Sequence, residues 1–285
     1  MKTSFPYLPV SPRFRRAGFT LVEILVVIVI VAVLATVCLS VSTRVKKSGM
    51  TVKELNAARN LTGALALAAQ DNNGTLPYAV DNMAPAFSIN ESGFKGGTIH
   101  GAAAHRYPFR LAQYFGYKFE DITVIDKKLQ YTLDKRDTYA VSLMPSLGIN
   151  VYGVGGYREE GEKEAIPGAI RQMSNAYAPE KMIAFASARL SHVELDGIAP
   201  GFHMLTPPKT PGGDWSPRYS DENPESWGNL DLRHNEKAVV GYLDGSAGTL
   251  GKEQLTDMRL WNNEAARLND PNHRPVVSSG GGRDR

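Results

Sequence analysis

The chain has 285 residues, with 32 Lys and Arg against 29 Asp and Glu and a formal net charge of +3. Four of the basic residues, Lys2, Arg13, Arg15 and Arg16, lie in the first 18 positions, where there is no acid, so the rest of the chain carries −1. The basic balance is therefore no argument for nucleic-acid binding, which needs a basic face on the folded part, and a single cysteine, Cys38, excludes an intrachain disulfide.

Residues 1–18 contain Pro6, Pro9 and Pro12 and read as an extended leader. From Ile24 to Thr43 there are 20 residues without a charge. As a helix they would measure about 30 Å, the thickness of a bilayer core. Glu23 stands at the start of this run with only basic residues ahead of it, a bias that holds the N-terminal end in the cytoplasm. An ordinary secretory signal, a lipoprotein signal ending at Cys38 and a plain single-pass anchor compete. The first would be cut after the run. The second has Val37 where a small residue is wanted, and the third leaves the spacing around Glu23 unexplained.

The helix is expected to continue beyond the run. Leu55, Ala58, Leu61, Leu65 and Ala69 follow three- and four-residue steps along one face. Ser48-Gly49 can loosen it, and Asp71-Asn72-Asn73-Gly74 followed by Pro77 stops it. Residues 81–101 read as loop, and Pro108 favours a helix beginning near Tyr107. Strands are expected at 138–143, 149–154, 182–186, 201–205 and 237–243. Residues 155–161 read as a polar loop, 207–229 as a long surface loop, and 269–285 as a disordered tail.

Near the C-terminus, nine residues separate His234 from Asp244. Alternation over Ala238–Leu243 reads as a strand, Asp244-Gly245 as a two-residue turn with Gly245 at positive φ, and Ser246–Leu250 as the return strand. An amphipathic helix is expected over 252–268, with Leu255, Met258, Trp261, Ala265 and Leu268 on one face.

Catalytic signatures are absent: there is no Gly-x-Ser-x-Gly, no phosphate-cradling loop and no His-Glu-x-x-His. A His234–Asp244 pair reads first as a structural hydrogen bond and second as an acid–base site. Asp214, Asp221, Glu222 and Glu225 read first as a solvated loop and second as a Ca2+ site. Trp215, Tyr219 and Trp227 read first as core plugs and second as a carbohydrate-stacking surface.

Gly18-Phe19-Thr20-Leu21-Val22-Glu23 resembles the processing motif of type IV prepilins and type II secretion pseudopilins. The resemblance implies cleavage between Gly18 and Phe19 by a prepilin peptidase, N-methylation of Phe19, and a role for Glu23 in assembly. His234, the nine-residue spacing, Asp244 and Gly245 resemble the C-terminal region of a pseudopilin-like family. Residues 257–261 and, more weakly, 107–111 extend that resemblance, but many members carry a histidine after Asp-Gly where this chain has Ser246.

The expected fold is α+β: a long N-terminal transmembrane helix continuing into a globular domain with an antiparallel sheet and a C-terminal helix. The expected organisation is leader 1–18, membrane half of the helix 19–47, soluble half 48–72, periplasmic or extracellular domain 73–268 and tail 269–285. The function implied is that of a non-enzymatic pilin-like or pseudopilin filament subunit in the inner membrane, serving type II-like secretion or a surface pilus. Its partners would be the peptidase/methyltransferase, other pilin-like subunits, an assembly platform and lipid, without nucleic acid or a required cofactor. A non-polymerising anchored domain that binds a surface or polysaccharide is the main alternative, and an anchored hydrolase using His234 and Asp244 a distant third.

Overall fold

The computed structural model describes residues 19–89, 97–126, 129, 137–159, 166, 168–191 and 200–276, without the side chains of 37–44 and 46. The chain divides into two compact units, Met1–Ser48 and Gly49–Arg285. Helix α1 is Leu21–Asp71. Among the described residues no helix is long and apolar enough to cross a membrane. The leader, the Cys38 side chain and residues 277–285 fall outside the described set.

In the second unit, α1 from Gly49 onward presents the face its periodicity predicts. Ala58, Leu61, Leu65 and Ala69 are buried, Leu55 is partly so, and Ala57, Ala64 and Ala68 widen the stripe. The short strands β1 (Val80–Asp81), β2 (Phe87–Ile89) and β3 (Gly97–Ile99) follow. After them come β4 (Leu147–Asn150), β5 (Tyr157–Arg158), β6 (Ile183–Ser187), β7 (Met204–Leu205), β8 (Lys209–Thr210) and β9 (Gly213–Asp214). Strands β10 (Lys237–Tyr242) and β11 (Ala247–Gly251) complete the series.

The main sheet has the order β11-β10-β6-β4-β7. It is antiparallel except for the parallel β4–β7 pair, so it is mixed and not the wholly antiparallel sheet expected. Residues of α1 cluster with Leu147, Ile149, Phe185 and Val239. Ile183, Ala186, Ala238 and Val240 cluster instead with Trp227, Leu255 and Trp261. Both faces of the sheet are thereby covered, which is why every residue of β6 is buried. At Gly241 a Cβ would stand 3.0 Å from Thr62 Cγ2 and 3.2 Å from Ala58 Cβ, so the missing side chain is what lets helix and sheet approach closely.

Several expected elements differ. Thr138–Leu143 is a helix, not a strand, because the Asp137 side chain accepts from Ala140 N at 2.9 Å and caps it, overriding a weak β pattern. Residues 81–101 are not all loop: β2 pairs with β3, burying Ile89 and Ile99 against Phe109 and Phe119. The 149–154 and 201–205 strands shorten to β4 and β7, and residues 157–158 of the supposed polar loop pair in parallel with β1. The single C-terminal helix breaks into Lys252–Leu255, a 3-10 turn Met258–Leu260 and Asn263–Leu268. The side chains of Asp257 and Asn262 accept from backbone N–H groups inside the run, each starting a new turn. The tail is held through its first part: Pro271 O accepts from Met258 N, and Arg274 binds Thr210 O and Asp214.

Candidate functional site

At the start of α1, Thr20 and Glu23 bond reciprocally. Thr20 N donates to Glu23 Oε2 at 2.8 Å, the Thr20 hydroxyl donates to the same oxygen at 2.9 Å, and Glu23 N donates to Thr20 Oγ1 at 3.2 Å. This is a capping box, which satisfies free N–H groups at the first turn and fixes where the helix begins. Phe19 lies just outside it, 79% exposed. Gly18 lies outside the described residues.

The second site is a buried charge cluster in the domain. Glu54 is on the apolar face of α1, four residues before Ala58, and is 2% exposed. Its Oε1 accepts from Ser187 Oγ at 2.5 Å and from Arg233 Nη2 at 2.8 Å. Its Oε2 accepts from Arg233 Nε at 3.0 Å and pairs with His234 Nε2 at 2.8 Å. All five N–H groups of Arg233 are used. The other three go to Asp231 Oδ2 at 2.8 Å, Ala188 O at 3.0 Å and Ser146 O at 2.5 Å. Asp231, 1% exposed, also takes Arg189 at 3.1 and 3.2 Å. Two carboxylates, Glu54 and Asp231, meet two guanidiniums, Arg189 and Arg233, and these four charges sum to zero. Burial opposes ionisation of Glu54 more than any other single influence. Arg233 and His234 together outweigh it and hold the carboxyl down to about 2.

His234 and Asp244 do not meet as expected. His234 Nδ1 lies 2.9 Å from Thr51 Oγ1, whereas Asp244 Oδ1 accepts from Ser246 N at 2.8 Å and Ser246 Oγ at 2.6 Å. The nine-residue spacing is the length of β10 plus its turns. His234–Lys237 closes a tight turn, each backbone N–H donating to the other's carbonyl, with Asn235 and Glu236 at φ 54° and 60°. The β10–β11 connection is a three-residue loop, not a two-residue turn. Gly245 N donates to Tyr242 O, Tyr242 N to Ser246 O, and Gly245 has φ 93°.

Thr51, His234 and Glu54 have the order of a hydroxyl–imidazole–carboxylate relay. Glu54 is nevertheless saturated by four donors and clamped by a guanidinium, and His234 is 9% exposed, so the arrangement acts as a clasp between α1 and the sheet. Sequence reasoning missed Glu54, Asp231 and Ser187. The available signal was an acid in phase with the apolar stripe, which demands a buried partner. Among the described residues no group of three His, Cys, Asp or Glu is placed to hold a metal ion. Asp214 pairs with Arg274 and Lys209, and Glu225 with Ser191. Trp227 is a core plug, stacked on Trp215 at 4.8 Å and meeting Tyr219 edge-on.

Residues 13–39 match the family described as "Prokaryotic N-terminal methylation motif". No curated protein and no solved structure matches the chain.

Proposed function

We infer that this chain, whose N-terminal methylation motif supports a type IV pilin-like or pseudopilin family and marks it as prepilin-processed, is a structural filament subunit. It is held by α1 in the inner membrane before assembly, with its domain on the periplasmic side, and serves type II-like secretion or a surface pilus. The observation that carries the reading is the coincidence of the matched residues 13–39 with the charge-free run and with the capping box of Thr20 and Glu23. Peptidase cleavage would fall between Gly18 and Phe19, and Phe19 would be N-methylated. The capping box supports this by starting the helix at Leu21 and leaving Phe19 outside it. Glu23 would pair with the new α-amine of a neighbouring subunit, a charge contact strengthened where water is scarce. The clasp of Glu54, Arg233 and His234 would keep the domain fixed on its own helix as subunits pack.

The test is N-terminal sequencing of the membrane-bound protein made with its peptidase, followed by cross-linking in the membrane. A mature chain beginning at methylated Phe19 and cross-linked into ladders is expected. A cleaved chain that stays monomeric would favour the anchored, non-polymerising reading, and a chain beginning beyond Cys38 would overturn the processing.

A further inference from the structure

A second feature of the domain lies away from the clasp. Between the β8–β9 hairpin and the Pro224–Trp227 turn is an open pocket of about 370 Å³, whose walls include Thr206, Thr210, Asp214, Trp215, Ser216 and Glu225, a volume within the range of small-ligand sites. Trp215 is half-buried in this wall. Its ring is fixed by stacking on Trp227 (26° between planes), by an edge contact with Trp261 at 5.6 Å and by Nε1 donating to Thr206 O at 3.1 Å. Gly228 permits that arrangement, since a Cβ there would stand 2.8 Å from Trp215 Nε1. The aromatic wall is thus set in place without a ligand, which lowers the ordering cost of binding.

The polar groups of the pocket restrict what it can take. Asp214 is held by Arg274 at 2.6 Å and Lys209 at 3.6 Å, so its charge is answered. Glu225 uses Oε1 for Ser191, while its Oε2 and the hydroxyls of Ser216 and Thr206 have no hydrogen bond among the described residues. The four charged side chains sum to zero. That balance suits neither an anion, which would face two carboxylates, nor a divalent cation, which would find one unanswered acid. It suits a neutral ligand with hydroxyls that both donate to a carboxylate and accept from Ser and Thr, and with an apolar face to lie against an indole.

We propose that this pocket binds a neutral oligosaccharide, with Trp215 as the stacking wall and Glu225 and Ser216 as the hydroxyl-reading groups. The proposal does not depend on filament assembly.

The other two tryptophans of the chain, Trp227 and Trp261, both touch Trp215, so intrinsic fluorescence reports directly on the site. The full chain, in a detergent without a sugar headgroup, would be titrated with maltotetraose, cellotetraose, chitotetraose and an anionic oligogalacturonide, by fluorescence and by calorimetry. At least one neutral tetrasaccharide is expected to give a saturable emission shift with a Kd of about 0.1–1 mM. Glu225→Gln and Ser216→Ala, which leave the stacked rings in place, should each weaken it by about tenfold with an unchanged unliganded spectrum. The proposal is overturned if no neutral sugar gives a saturable signal at about 10 mM, if the anionic sugar binds as tightly, or if both variants bind like the parent.

Discussion

His234 Nε2 stands 2.8 Å from Glu54 Oε2, joining residues 180 positions apart. The contact ties the turn that launches β10 to the helix on which the domain packs. Arg233, the neighbouring residue, closes around the same carboxylate with two donors. Replacing a whole buried charge cluster by apolar residues is often neutral, whereas removing one partner leaves an uncompensated buried charge.

Removing one member should therefore be costly. Arg233→Met leaves Glu54 and Asp231 buried with fewer donors, and should destabilise the domain by about 3–5 kcal/mol. Glu54→Leu combined with Arg233→Met should cost clearly less than the sum of the two single changes, because the double variant leaves no unpaired charge on α1. Urea unfolding followed by tryptophan fluorescence measures both, and strict additivity would argue against the clasp.

The same carboxylate makes stability depend on pH. Glu54 titrates at about 2 when folded against an ordinary 4.5, so on acidification the unfolded chain takes up the proton first. The contribution, on the order of 3 kcal/mol, is complete above about pH 4.5 and fades as pH falls toward 2. Glu54→Gln should flatten the stability curve in that window and leave its slope near neutral pH unchanged.

Two backbone positions should respond in opposite directions. Glu236 is exposed at φ 60°, a conformation that costs a side chain about 1 kcal/mol or more. Glu236→Gly is expected to raise the melting temperature, by about 0.5–1 kcal/mol of stability. Gly245 has φ 93°, and beyond its two chain neighbours no atom lies within 4 Å of where its Cβ would stand, so Gly245→Val meets no clash with another segment but incurs the conformational strain, about 1–3 kcal/mol. Thermal melts of the two variants moving the same way would contradict the turn assignments.

Glu23→Ala separates processing from assembly. Loss of the acid removes a charge that costs about 2–3 kcal/mol at a bilayer centre and less at its edge, so membrane insertion should persist. Cleavage after Gly18 should persist as well, while cross-linking into filaments should fail. Thr20→Ala, which breaks the capping box but keeps the carboxylate, should still assemble. Filaments from Glu23→Ala as abundant as those of the parent would reject the pairing with the α-amine.

The elements readable in the sequence were those whose cause is local. The charge-free run, the Gly18–Glu23 motif, the apolar stripe from Leu55 to Ala69 and the alternation of β10 each arise from neighbours within one or two turns. Gly245 could be placed at positive φ for the same reason, because turn chemistry acts over four residues. Where competing local signals were weak, as in Thr138–Leu143, one capping aspartate decided for helix. Two caps, Asp257 and Asn262, divided what periodicity alone read as a single C-terminal helix.

The choice of partners belonged to the tertiary structure. His234 faces Glu54 instead of Asp244 because β10 carries Asp244 to the far end of its own hairpin, while the helix brings Glu54 to the near end. Spacing along the chain records the length of the strand and says nothing of what packs beside it. Trp215, Trp227 and Trp261 likewise come together only because the sheet has a second face to cover. A charge or an indole in the sequence requires a partner, and folding the distant segments onto one sheet determines which partner it receives.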